Sequence, residues 1–232
     1  MNIFALSRCP KESAKQMLDK HIVKMPTETC QMLHTNILYM KYFQQYGKEP
    51  QLKDLKAFHQ QIGSKLMKPA MLNHPSTVWA RQSRENFDWL YYHGMALCEE
   101  YTYRYGKEHG TYKRMLNCHS LSRNETCFVS FPHSGLTPVT IAMDDKYRID
   151  EYEFHNTQRV QYGKQTDNWD FVIESYRNYY LEGKWRIAEW RKDRRPDWFP
   201  ANHFAKKYNI GVRKYNERNP KFPRLELSEE LE

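Results

Sequence analysis

Apolar positions recur at helical spacing along most of this chain. After the short apolar run "NIFAL", which reads as a strand or an extended lead-in, Ser7 or Pro10 opens a helix. Leu18, Ile22, Met25, Met32 and Leu33 carry that helix onward, with a kink or restart expected at Pro26. Leu52, Leu55, His59, Ile62 and Leu66 mark a second amphipathic helix over 52–68, with His59 at the core boundary. The strongest signal spans 76–105, where Phe87, Leu90, Gly94, Leu97 and Tyr101 form one stripe. Residues 111–167 differ, with Pro, Gly and short β-branched runs that predict loops and a small hairpin. Helical patterning returns in "DFVIESYRNYYLEG" and "KWRIAEWRK" and stops at "RRPDWFP". The fold class expected is mainly α: one compact helical domain over 1–200, with a small irregular or β-containing middle segment. Residues 201–232 read as a basic, then acidic, C-terminal tail.

One polar stripe stands out within the first long helix. At 100° per residue, His21, Lys24, Glu28, Gln31 and Thr35 fall within an arc of roughly 80°. Leu18, Met25, Thr29 and Met32 occupy the neighbouring face, so the stripe borders the core if that face is buried. A carboxylate, an ammonium and an imidazole so placed form a proton-transfer set, with Glu28 or His21 as base and Lys24 as amine nucleophile or electrostatic stabiliser. An ordinary solvated stripe with an i,i+4 Lys24–Glu28 pair accounts for the same spacing.

The second candidate is "NHPSTVWARQSRENFDWL". Ser76 or Thr77 is the expected N-cap, which sets Asn73 and His74 at a helix start whose free amides favour an anion such as phosphate. Arg81 and Asn86 follow on the same helix. The third, "EEYTYRYGKEHG", sets Arg104 and Lys107 among tyrosines, where a favourable helix C-terminus explains the cations equally well.

Composition widens the picture toward nucleic acid. Aromatics make up 15% of the chain, with 17 Tyr and 6 Trp, and the net charge is +8. Residues 184–224 hold thirteen Lys/Arg against four Asp/Glu, while the final "LELSEELE" is acidic. Arg191, Arg194 and Arg195 in "KWRIAEWRKDRRPDWF" suit phosphate contact beside flat side chains, or else cover the Trp rings on a solvated face. Glycine-rich dinucleotide, serine-hydrolase, P-loop and HExxH motifs are absent, so those classes are poor readings. No apolar run of about 18 residues exists, and the start lacks a signal-peptide pattern. With five scattered cysteines and no CxxC, these point to a reducing cytoplasm, free thiols and no membrane partner. Cys118, His119, Cys127 and His133 are the nearest approach to a metal cluster, but their spacing fits no standard zinc site. No metal or other cofactor is expected, and the sequence implies no oligomeric state.

The order of "DKHIVKMPTETCQML", "NHPSTVWARQSRENFDWL", "EEYTYRYGKEHG", "ESYRNYY" and "RRPDWF" resembles a family of bacteriophage-encoded proteins over roughly 1–200. Some of its members are labelled pyrimidine-dimer DNA glycosylases of the endonuclease V kind. The resemblance implies a compact all-α enzyme that flips a base opposite the lesion and cleaves the glycosidic bond with an N-terminal amine and a glutamate. On that pattern Glu28 matches the catalytic glutamate and His21 a substrate-contacting histidine. The pattern's small second residue is replaced by Asn2, with which Met1 is expected to be retained, so Lys24 becomes an alternative amine. The expected substrate is DNA in the host cytoplasm. A non-catalytic nucleic-acid or host-protein binder, and an enzyme on free nucleotides, are the competing readings.

Overall fold

A computed structural model describes residues 2–123, 131–200, 203–221, 224 and 226–227. The described residues are mostly helical, and no strand occurs among them; the only β feature there is a single bridge between Ser83 and His133. No described helix is long and apolar enough to cross a membrane.

The first helix is shorter than its pattern suggests. α1 spans Pro10–Gln16 and α2 spans Asp19–Tyr46, so the break falls at Met17–Leu18 and not at Pro26. Pro26 is buried inside an unbroken 28-residue helix. Arg104 explains the position of the break. Its buried guanidinium donates to the Lys15 carbonyl at 2.9 Å and to the Met17 carbonyl at 2.8 Å, two groups left over at the end of α1. It also pairs with Asp19 at 2.9 Å and Glu100 at 2.8 Å. Asp19, the first residue of α2, then binds the Arg191 amide at 3.2 Å.

α3 spans only Leu52–Gln61, with Gln51 and Asp54 closing a reciprocal cap, and His59 bonds the Leu66 carbonyl beyond it. The expected 76–105 helix is two helices, α4 (Pro75–Ala80) and α5 (Arg84–Tyr105). Ser83 caps α5 by accepting the Asn86 amide, while the Asn86 side chain donates to the Trp79 carbonyl at 3.0 Å. That pair satisfies both sides of the break. Gly94 lies where α2, α5 and α6 (Tyr112–Arg123) meet; a Cβ there would stand 2.8 Å from both Thr29 Cγ2 and Met115 Cε.

The middle segment corrects the expectation further. Residues 131–144 are irregular, a short 3-10 turn covers Asp145–Tyr147, and the expected hairpin region instead forms α7 (Glu151–Tyr162). Asp150 caps α7 on the Glu153 amide at 2.7 Å, and Gly163 ends it at φ +61°. α8 (Asn168–Gly183) starts on an Asp167/Asp170 capping box, and α9 (His203–Arg218) follows the basic segment.

The core gathers Ile3–Leu6, Met17, Leu18, the inner face of α2, Trp79, Phe87, Leu90, Leu97, Tyr176 and Tyr180. A smaller cluster of Leu38, Tyr42, Leu55, Phe58 and Leu72 holds α3 against α2.

Candidate active site

Because α2 is continuous, its polar stripe keeps its phase. Lys24 Nζ stands 2.9 Å from Glu28 Oε1, with Lys24 68% exposed and Glu28 only 17%. His21, one turn earlier, is buried. Its ring stacks on Phe4 with centroids 4.1 Å apart, and its Nδ1 lies 2.6 Å from the Tyr180 hydroxyl. Burial, reinforced by the positive charges of Lys184 and Lys24, pushes His21 down to about 3. The imidazole is therefore neutral at physiological pH and serves as a hydrogen-bonding partner, not a titrating base.

The other half of the stripe does a different job. Gln31 reaches the Lys68 carbonyl at 3.4 Å, and Thr35 bonds both the amide and the carbonyl of Ala70 at 3.3 Å. His34 Nδ1 accepts the Met67 amide at 2.9 Å, and Asn36 donates to the Thr77 carbonyl at 2.9 Å. Four side chains of α2 thus fasten residues 67–77 along it, and this route delivers His74 to the neighbourhood of Glu28. Burial lowers the His74 imidazole below its ordinary value; the positive N-terminal amine adds to that, and the Glu28 carboxylate opposes it. A carboxylate, an ammonium and an imidazole are thereby gathered beside a helix face.

His74, not Ser76 or Thr77, is the N-cap of α4, and its own Nδ1 accepts the Ser76 amide at 3.2 Å. With one free amide already taken and only six residues, α4 offers little field for a phosphate. Asn73 is exposed beside it.

The remaining sequence candidates sit elsewhere. Arg81 donates to the Leu72 carbonyl at 2.7 Å and lies over the Tyr39 ring, and burial pulls it below its ordinary value. Asn86 is fully buried and holds Thr137 as well as Trp79. Arg104 is fixed in the α1–α2 joint, whereas Lys107 is exposed past the end of α5. Arg191 and Arg194 dock onto the same joint, pairing with Asp19 at 3.4 Å and Glu100 at 2.9 Å. Each also lies over a tyrosine ring, Tyr105 or Tyr103. Arg195 is exposed. Of the cysteine–histidine quartet, Cys127 lies outside the described residues, His133 is exposed on the Gln82 carbonyl, and Cys118 faces Cys30 and His34.

Sequence reasoning missed Phe4, Tyr180 and Lys184. Phe4 adopts φ +54°, a left-handed conformation costly for a bulky residue, and this turns its ring onto His21. Lys184 lies over Tyr179, which itself stacks near Phe4. Its place at the start of the basic segment was the one available signal.

The fold and site define a protein, mostly helical over its described residues, whose longest helix presents a carboxylate–ammonium pair with the His74 imidazole within electrostatic reach. In sequence, residues 1–113 match the model of a protein family described as pyrimidine dimer DNA glycosylase, which bears out the resemblance over that stretch. No curated protein and no solved structure matches the chain. The matched stretch contains α1–α5 with His21, Lys24, Glu28 and His74; the basic segment and α7–α9 lie beyond it.

Proposed function

We propose that the protein is a base-excision DNA glycosylase of the pyrimidine-dimer type. The observation that supports this most is the place of Glu28. It is a mostly buried carboxylate, ion-paired to Lys24 and within electrostatic reach of His74, inside the stretch that matches the family.

In this reading a base opposite the lesion is flipped out, and the sugar of the damaged pyrimidine is bound against Glu28. The amine, once deprotonated, attacks C1′ as the C1′–N bond breaks; the proton shed by the attacking nitrogen goes to the departing pyrimidine, and the carboxylate stabilises the positive charge that develops on the sugar. Ring opening leaves a Schiff base, and Glu28 moves the protons for the elimination that nicks the strand. The amine comes from Lys24 or from the chain's terminal amine, whose charge already acts on His74. Neutral His21 orients without exchanging protons, and Lys184 and Arg195 contact phosphates. The motif order over 1–200 also favours a phage-encoded enzyme working in the host cytoplasm.

A duplex carrying one cyclobutane pyrimidine dimer tests the reading. Incubation with borohydride gives a covalent protein–DNA adduct, and peptide mapping assigns it to Lys24 or to the terminus. Glu28→Gln lowers the cleavage rate by about 10²–10⁴-fold with lesion binding retained. Tight lesion binding with neither glycosidic cleavage nor adduct sinks the enzyme reading and leaves a DNA-binding protein.

A further inference from the structure

Cys30 and His34 lie one helical turn apart on α2, and Cys118 meets them from α6. Cys30 Sγ, His34 Nε2 and Cys118 Sγ lie within 4.8 Å of one another, and all three residues are buried. Two chemistries use such a set: capture of a soft metal ion, or thiol–disulfide exchange.

The tautomer of His34 separates them. Its Nδ1 accepts the Met67 amide at 2.9 Å, so that lone pair is committed and the neutral ring carries its proton on Nε2. Nε2 stands 3.8 Å from Cys30 Sγ and therefore presents N–H to sulfur. A metal-bound imidazole requires the reverse: a bare Nε2 and a protonated Nδ1 that donates to an acceptor. Here that would set two N–H groups against each other. The observed arrangement instead stabilises a thiolate at Cys30.

We propose that Cys30 and Cys118 form a redox-active dithiol, an oxidation site at which hydrogen peroxide closes a disulfide between α2 and α6. The Cys30 thiolate attacks one peroxide oxygen, the O–O bond breaks, and the departing hydroxide takes a proton to leave as water. Cys30 is then a sulfenic acid. Cys118 loses its proton and attacks the Cys30 sulfur, and the second water leaves as the S–S bond forms. Two thiols are oxidised, and one peroxide is reduced to two waters.

The two sulfurs are unlike, as attacking and resolving thiols are. Hydrogen bonding from Cys118, supported by that from His34 and by the charge of Arg114, holds Cys30 below the ordinary thiol range. Cys118 is pushed well above that range by its bond to Cys30 and by burial, and it also has the Arg114 carbonyl within 3.5 Å. Cys98, pushed up to about 12 chiefly by burial, stays an inert thiol. Both sulfurs are fully buried. The nearest opening is a cavity of about 420 Å³ lined by His34, the neighbour of Cys30, and by Arg114, Asn117 and Leu121 of α6; neither sulfur lines it, so the oxidant passes the His34 ring to reach them.

The test uses the reduced full-length protein, treated with hydrogen peroxide, alkylated and digested without reductant. The expected product is a peptide linking Cys30 to Cys118, two hydrogens lighter than the parent pair. Cys30→Ser and Cys118→Ser each abolish it, Cys118→Ser leaves a sulfenic acid at Cys30 that dimedone traps, and His34→Gln slows closure several-fold. The wild-type readout stands even if a serine variant fails to fold. Failure to form the link, or a link from Cys30 to a different cysteine, overturns the proposal. So does one equivalent of Zn²⁺ bound by the wild type and lost in both serine variants, which would make the trio a metal site.

Discussion

Phe4 holds a left-handed backbone, φ +54°, in order to stack its ring 4.1 Å from that of His21. Phe4→Ala removes a buried aromatic and destabilises the fold by about 3–5 kcal/mol. Phe4→Gly relieves the backbone and is less damaging than Phe4→Ala by about 1 kcal/mol. Urea unfolding of the two variants checks this, and equal losses would remove the strain argument.

Arg104 neutralises Asp19 and Glu100, both almost fully buried. Arg104→Met leaves the two carboxylates only their outer partners, Arg191 and Arg194, and strands the carbonyls of Lys15 and Met17. The expected cost is about 3–5 kcal/mol, seen as a lower denaturation midpoint. Triple replacement of Arg104 and both acids should recover part of it.

Stability should fall on mild acidification. His21 is held at about 3 and the fully buried His93 at about 4, against ordinary values near 6.5 in the unfolded chain. Their contribution is complete above about pH 6.5, because the folded state then refuses no proton that the unfolded state accepts. It is lost as pH falls from there toward the folded values, at about 1.4 kcal/mol per pH unit per group. Unfolding measured from pH 7 to 5 gives the slope, and His93→Gln should shrink it.

Gly94→Ala drives a Cβ to within 2.8 Å of Thr29 Cγ2, a branched side chain with little freedom. The helices must part, at about 1–3 kcal/mol, and a calorimetric melt reads the loss.

Charge reversals in the basic segment should divide. Arg195 is exposed, so Arg195→Glu weakens DNA binding and flattens its salt dependence while the melting temperature holds. Arg194 pairs with buried Glu100, so Arg194→Glu lowers the melting temperature as well. Unchanged DNA affinity in both variants would take the segment out of the substrate surface.

Much of this was legible in the sequence, and the failures have physical causes. The α2 stripe could be read because one helix carries it and Pro26 leaves its phase intact. α7 was misread because it buries no residue fully: Phe154 alone of its apolar positions packs against the core, while Tyr152, Val160 and Tyr162 are exposed. Its cap at Asp150 and stop at Gly163 were the usable signs. The joint at Met17–Leu18 is set by Arg104, some 85 residues away, and no local pattern announces it. His74 likewise comes within electrostatic reach of Glu28 through a chain segment that Gln31, His34, Thr35 and Asn36 tie to α2.

The Tyr176 hydroxyl donates to the Asn2 side chain at 2.8 Å, Trp190 reaches the Gln16 carbonyl at 2.9 Å, and Tyr180 holds His21. The stretch that matches the family is therefore clasped by residues far outside it. During synthesis, the amino end must wait, unlatched, until Trp190 has left the ribosome. An excised 1–113 fragment would keep every candidate catalytic side chain and lack the clasp that arranges them.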